Sequence, residues 1–144
     1  MFTEAKSPEA VLTEVWRAWR EQDKSRTLAH CADDVVFAIY VPEHVLAFGG
    51  ETRGRRSVSD RLQTIIDQFE TLAYEGVVHG VDGDTVHGVV HFCFRHRATG
   101  QSIEGDMRQV VVVRDGLIVE LKEYHDLNRV IAFMRLVSEV AHRT

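Results

Sequence analysis

Glu123-Tyr124-His125-Asp126 sets four proton-transferring side chains in succession at the end of an apolar run, Leu117-Ile118-Val119-Glu120-Leu121. An imidazole titrates near neutrality, so a histidine at the end of such a run suits general acid or base work. His125 continues the parity of Leu117, Val119 and Leu121, which aims it with the apolar side chains of its strand. The competing role is a hydrogen-bonded histidine at a rim. Asp126 suits a base or an orienting carboxylate, and equally an N-cap for a following helix. His91 lies beside Phe92, Cys93 and Phe94, with Val89, Cys93 and Arg95 as its parity partners. Either His91 or His96 points inward, and a subunit interface is the alternative place for them. These residues give a candidate catalytic set of His125, Asp126, His91 and Tyr124. Glu104, Asp106 and Arg108 share one strand face, as a proton-transfer group or as an exposed, mutually paired stripe. Eight histidines raise the question of a metal. No His-x-x-x-His helical pair or carboxylate triad stands at ligand spacing, so no metal and no other cofactor is expected.

The elements that must position these groups follow from periodicity. Asp115-Gly116 between Val110–Val113 and Leu117–Leu121 is a strong hairpin signal, because a tight turn requires positive φ. Strands are predicted at Val35–Val41, Leu72–Val81, Thr85–His96, Gln101–Arg114 and Leu117–His125, with a short one at Val45–Phe48. Ser7-Pro8-Glu9 opens a helix of about four turns carrying Val11, Leu12, Val15, Trp16 and Trp19 on one side. A short helix follows from Ser25 through His30 and Cys31. A third spans Ser57–Thr71, and a fourth starts after Asp126.

Four turn-linked strands form an antiparallel meander, and the helices cover one face of it. The fold class is α+β: a cone-shaped, strongly curved, mostly antiparallel sheet covered by N-terminal and mid-chain helices, with a C-terminal helix. Such a cone encloses room for a small apolar or aromatic molecule. The side chains assigned to line it are Trp16, Phe37, Ile39, Tyr40, Phe69, Gln109 and Leu121. Trp16 and Trp19 also suit plain core packing, and Tyr40 with His44 suits an entrance around Pro42. The arginines at 53, 55 and 56 suit an anion site or, without a glycine-rich cradle, a solvated surface.

The 144 residues suffice for one domain, 1–144. A net charge of −5 speaks against nucleic acid as a partner. No apolar run approaches the roughly 20 residues of a membrane span. The opening MFTEAKSPEA has no apolar signal core. Cys31 and Cys93 lack redox or zinc spacing and read as thiols of a reducing, cytoplasmic setting.

Trp16…Asp23…Leu28, Ala32-Asp33-Asp34-Val35-Val36-Phe37, Gly54-Arg55-Arg56-Ser57-Val58, Val113-Arg114-Asp115-Gly116-Leu117-Ile118-Val119-Glu120 and Glu123-Tyr124-His125-Asp126 stand in a telling order. Together they resemble the SnoaL-like polyketide cyclase and ketosteroid isomerase group of the nuclear-transport-factor-two-like superfamily. The resemblance implies an α+β cone, a homodimer packed through the outer sheet face, and a hydrophobic ligand inside. It implies cofactor-free isomerisation, cyclisation or lyase chemistry through His and Asp, or else a non-catalytic binding or dimerisation module. The aspartate base, tyrosine and protonated acid of ketosteroid isomerases fall on Ile39, Val15 and Gln109, so that set is not carried over. Asp126 matches the terminal aspartate of limonene-epoxide hydrolases, but Cys93-Phe94-Arg95-His96 lacks their second carboxylate.

Overall fold

The computed structural model describes residues 6–143. The first five residues of MFTEAKSPEA, the stretch expected to lack a signal core, lie outside them. Ser7 caps helix α1 (Pro8–Arg20) by accepting a hydrogen bond from the Ala10 N–H. Val11, Leu12, Val15, Trp16, Ala18 and Trp19 form its buried side. Asp23, not Ser25, caps α2 (Lys24–Ala29), because its carboxylate reaches the Arg26 N–H. Cys31 therefore opens strand β1 (Cys31–Ile39) instead of closing that helix.

The loop after β1 contains the expected Val45–Phe48 strand, but these residues are turns. The short strand β2 comes later, at Gly50–Arg53. Leu46 and Phe48 are buried all the same, as apolar anchors of the loop. Helix α3 (Arg55–Gln68) stops three residues earlier than its apolar stripe suggests, because Phe69 is already extended and begins β3 (Phe69–Asp82). Strands β4 (Thr85–His96), β5 (Ser102–Arg114) and β6 (Leu117–Tyr124) follow, and α4 spans Leu127–His142. Asp115 and Gly116 both have positive φ, 53° and 77°, as the two-residue turn between β5 and β6 requires.

The six strands run in the order β2-β1-β6-β5-β4-β3 in a curved, unclosed mixed sheet. Neighbours are antiparallel except β1 and β6, which pair in parallel. That pairing sets Phe37 beside Leu121 and Ile39 beside Glu123. Helices α1 and α3 pack on the concave face, where their apolar side chains meet Val86, Val90, Met107, Val111 and Ile118. A second cluster joins Ile39, Phe48 and Phe69 to Val130, Phe133 and Val137 of α4.

Two glycines let α1 approach the sheet. A Cβ at Gly76 would lie 2.2 Å from Trp16 Cε3, and one at Gly88 would lie 2.8 Å from Trp16 Cη2. The indole thus rests on bare backbone of β3 and β4, which fixes its height above the sheet. Among the described residues no helix is long and apolar enough to cross a membrane.

Candidate active site in the cone

A bulge decides which side chains of β6 face inward. Val112 pairs with Glu120 and Val113 with Ile118, so Val119 is an extra residue. Ile118, Leu121, Glu123 and His125 line the cavity. Leu117 pairs with the exposed Arg114, on the opposite face. The parity from Leu121 to His125 is therefore as the alternation implies, but it does not extend back to Leu117.

The cavity measures about 120 Å³. Its walls are mainly apolar and aromatic, with Trp16, Trp19, Phe37, Phe69, Phe94 and Phe133 among them. One polar network enters this space. Trp16 Nε1–H donates to Gln109 Oε1 at 2.8 Å. The indole is a donor only, so it determines which end of the Gln109 carboxamide is oxygen. The other end, Nε2, donates to Glu123 Oε1 at 3.0 Å and to the Tyr74 hydroxyl at 3.3 Å. Glu123 Oε2 meets His125 Nε2 at 2.8 Å.

The network is enclosed. Gln109 is 2% exposed and Tyr74 5%. The side chains of Glu123 and His125 are 12% and 11% exposed. A carboxylate only accepts, which assigns the Nε2 proton to His125. Nδ1 has no hydrogen-bond partner among the described residues. The Tyr74 oxygen accepts from Gln109, and its own O–H has no acceptor among the described residues. Burial, followed by the nearby Glu123 charge, pushes the Tyr74 phenol far above its ordinary range, so it stays a neutral donor. Phe92 presents its ring edge-on to His125, with centroids 5.6 Å apart. The arrangement can take a proton from a bound molecule and offer a hydrogen bond to an oxygen on it.

Of the residues singled out in the sequence, Trp16, Phe37, Ile39, Phe69, Gln109, Leu121 and His125 line the cavity. Tyr40 and Tyr124 do not. They stack on each other at 4.6 Å, with the Arg108 guanidinium 5.0 Å from the Tyr124 ring centroid. Tyr124 follows Glu123 in an alternating strand, so it falls on the outer face. His91 is also on that face, opposite Asp106 in the β4–β5 register. Its ring joins Asp106 at 2.8 Å and Glu104 at 3.1 Å. Asp126 is exposed and caps α4 through the Arg129 N–H. Of the four residues in the candidate catalytic set, only His125 is in the cone.

Glu123 and Tyr74 belong to the site but carry no isolated signal in the sequence. Glu123 is one of four polar residues in a row, and only its parity with Leu121 and His125, downstream of the bulge at Val119, sets it apart from Tyr124 and Asp126. Tyr74 precedes Gly76, and the need of Trp16 for that glycine is a relation between distant elements. Among the described residues, no three His, Cys, Asp or Glu side chains converge as metal ligands do.

No curated protein matches the chain by sequence. Solved structures do match in fold. A proposed isomerase of Rhodopseudomonas palustris superposes with a TM-score of 0.77 at 18% identity, covering 93% of this chain and 99% of that one. An NTF2-like protein of Burkholderia pseudomallei gives 0.76 at 15% identity, covering 90% and 98%. Another, from Burkholderia xenovorans, gives 0.72 at 21% identity, covering 92% and 99%. These likenesses establish the shared α+β cone. The sequence profile of the SnoaL-like domain matches residues 12–121, most of the chain from α1 to β6, and the protein belongs to that family.

Proposed function

We propose that the protein binds a small apolar molecule in the cone and moves a proton on it, as an isomerase, cyclase or lyase. The observation that carries this reading is Glu123, a carboxylate at the polar end of an otherwise apolar cavity, held at 2.8 Å from His125. A carboxylate shielded from bulk water and fixed by two partners is suited to proton abstraction. In the proposed step Glu123 takes a proton from a carbon next to a carbonyl. The C–H electron pair moves toward the carbonyl oxygen, which Tyr74 O–H steadies. Glu123 then returns the proton at another carbon. His125 holds the carboxylate in place. The 120 Å³ volume suits a molecule of about one ring, since an engineered cavity near 150 Å³ takes benzene.

The test needs no knowledge of the natural substrate. Opening of 5-nitrobenzisoxazole is triggered when a base removes its ring C–H proton and the N–O bond breaks to give a coloured phenolate. We expect the protein to open it about 10²-fold faster than the Glu123→Gln variant. Equal rates, with toluene still bound by both proteins, would leave a non-catalytic container.

A homodimer through the outer sheet face belongs to the same proposal. Val77 is 58% exposed. With half-buried Val89, Val110 and Val112 it forms an apolar stripe toward the Asp82–Thr85 turn. Light scattering should give twice the chain mass, and Val77→Lys should halve it. Free Cys31 and Cys93 accord with a reducing, cytoplasmic setting.

A further inference from the structure

Three polar groups meet the Gln109 side chain in the cone. Trp16 Nε1–H donates to Oε1 at 2.8 Å, and Nε2 donates to Glu123 Oε1 at 3.0 Å and to the Tyr74 oxygen at 3.3 Å. A carboxamide accepts at one end and donates at the other. Two of its three neighbours could accommodate the reverse placing. With Oε1 turned toward them, Tyr74 O–H would donate to it, and Glu123 would bond to it as a protonated acid. The indole N–H alone has a single role, since it donates and never accepts.

The indole is seated where it cannot evade that role. Trp16 is 6% exposed, and its ring lies on the backbone at Gly76 and Gly88, where a Cβ would come within 2.2 and 2.8 Å of it. The bond to Gln109 then has two consequences. The amide N–H₂ faces Glu123, which accepts from it as a carboxylate. Tyr74 is made an acceptor toward Gln109, so its own O–H keeps no partner among the described residues. In the reverse placing both would be lost together, with the base protonated and the phenol O–H spent on Gln109.

We infer that Trp16 is a positioning residue for the proposed reaction, whose indole N–H, acting through Gln109, keeps Glu123 a proton acceptor and the Tyr74 O–H available to the substrate's oxygen. This inference rests on the reading of Glu123 and Tyr74 as base and donor. Trp16 also lines the cavity, so its N–H has to be tested apart from its ring.

The experiment replaces Trp16 by 3-benzothienylalanine through amber suppression, which exchanges the ring N–H for sulfur and keeps the bicyclic shape. Toluene binding reports on the cavity, 5-nitrobenzisoxazole opening on the base, and the preference for acetophenone over ethylbenzene on the Tyr74 O–H. We expect toluene affinity and the KM for 5-nitrobenzisoxazole to be unchanged, kcat to fall about tenfold, and the acetophenone preference to disappear. In a Gln109→Met background the same replacement should change neither kcat nor preference further, because the relay is already cut. Wild-type kcat and preference in the sulfur variant overturn the inference. So does an effect that persists undiminished in Gln109→Met, which makes the indole act directly, and so does a loss of toluene affinity that parallels the loss of kcat, which makes Trp16 a wall only. A wild-type protein that binds toluene but neither opens 5-nitrobenzisoxazole nor prefers acetophenone removes the base-and-donor reading itself.

Discussion

Trp16 on α1 and Gln109 on β5 are joined by a 2.8 Å hydrogen bond that fixes the orientation of the whole polar network. The carboxamide cannot rotate without setting its N–H₂ against the indole N–H. Trp16→Phe removes the donor and leaves Gln109 Oε1 buried without a partner. We expect a loss of about 1–3 kcal/mol in urea unfolding, the usual cost of such a group. Gln109→Met strands the Trp16 N–H and removes the donor to Glu123, so its loss should be larger. Equal stabilities for wild type and Trp16→Phe would mean that the bond does not order the network.

The notch under Trp16 makes a second prediction. Gly76→Ala drives a methyl group into the indole, since even an ideal Cβ would sit 2.2 Å from Cε3. Overpacking of this kind costs about 1–3 kcal/mol. In a Trp16→Leu background most of that penalty should vanish, which a double-mutant cycle would register as coupling. A penalty independent of residue 16 would place the strain in the backbone of β3.

The sequence carried the strand and helix order because its signals are local. Ser7 before Pro8 caps a helix, and Asp115-Gly116 turns a hairpin, whatever the rest of the chain does. The site was less legible because it depends on relations across the fold. One inserted residue, Val119, changes the face on which every earlier residue of β6 lies. Tyr124 drew attention as a polar neighbour of His125, yet alternation puts it with Tyr40 on the outside. Glu123, one position earlier, takes the inward place. The parallel β1–β6 pairing that brings Ile39 beside Glu123 has no turn between its strands to announce it.

His91 gives a pH prediction. Its imidazole bridges Asp106 and Glu104 on the outer face, and these bonds raise its pKa above 6.5, Asp106 contributing most. A neutral ring cannot donate from both nitrogens, so the bridge is complete only in the imidazolium. The folded value lies above the unfolded one, so the stabilisation is fully present below the unfolded pKa and is lost as pH rises through the folded value. Thermal stability should therefore fall across that window in the wild type and less in His91→Gln. In Asp106→Asn the NMR titration midpoint of His91 should move down.

Asp126 is predicted to act on helix α4. Its carboxylate accepts from the Arg129 N–H at 3.3 Å, as an N-cap does. Asp126→Ala should cost about 1 kcal/mol and speed amide exchange in the first turn of α4, while Asp126→Asn should leave both nearly unchanged. An equal loss in both variants would show that the charge matters rather than the cap.

Tyr74 separates the chemistry of the site from its architecture. Removing its hydroxyl takes one acceptor from Gln109 Nε2, which keeps Glu123 at 3.0 Å. Tyr74→Phe should therefore cost only about 0.5–1.5 kcal/mol of stability. What it removes is a neutral O–H that donates to nothing within the described protein and borders an apolar cavity. Acetophenone and ethylbenzene match in size but differ in a carbonyl oxygen. Wild type should prefer acetophenone in calorimetric titration, and Tyr74→Phe should bind the two alike. A preference that survives the substitution would mean that the Tyr74 hydroxyl is not the group that recognises the oxygen. Glu123 and Tyr74 would then no longer act as a base and donor pair across one substrate.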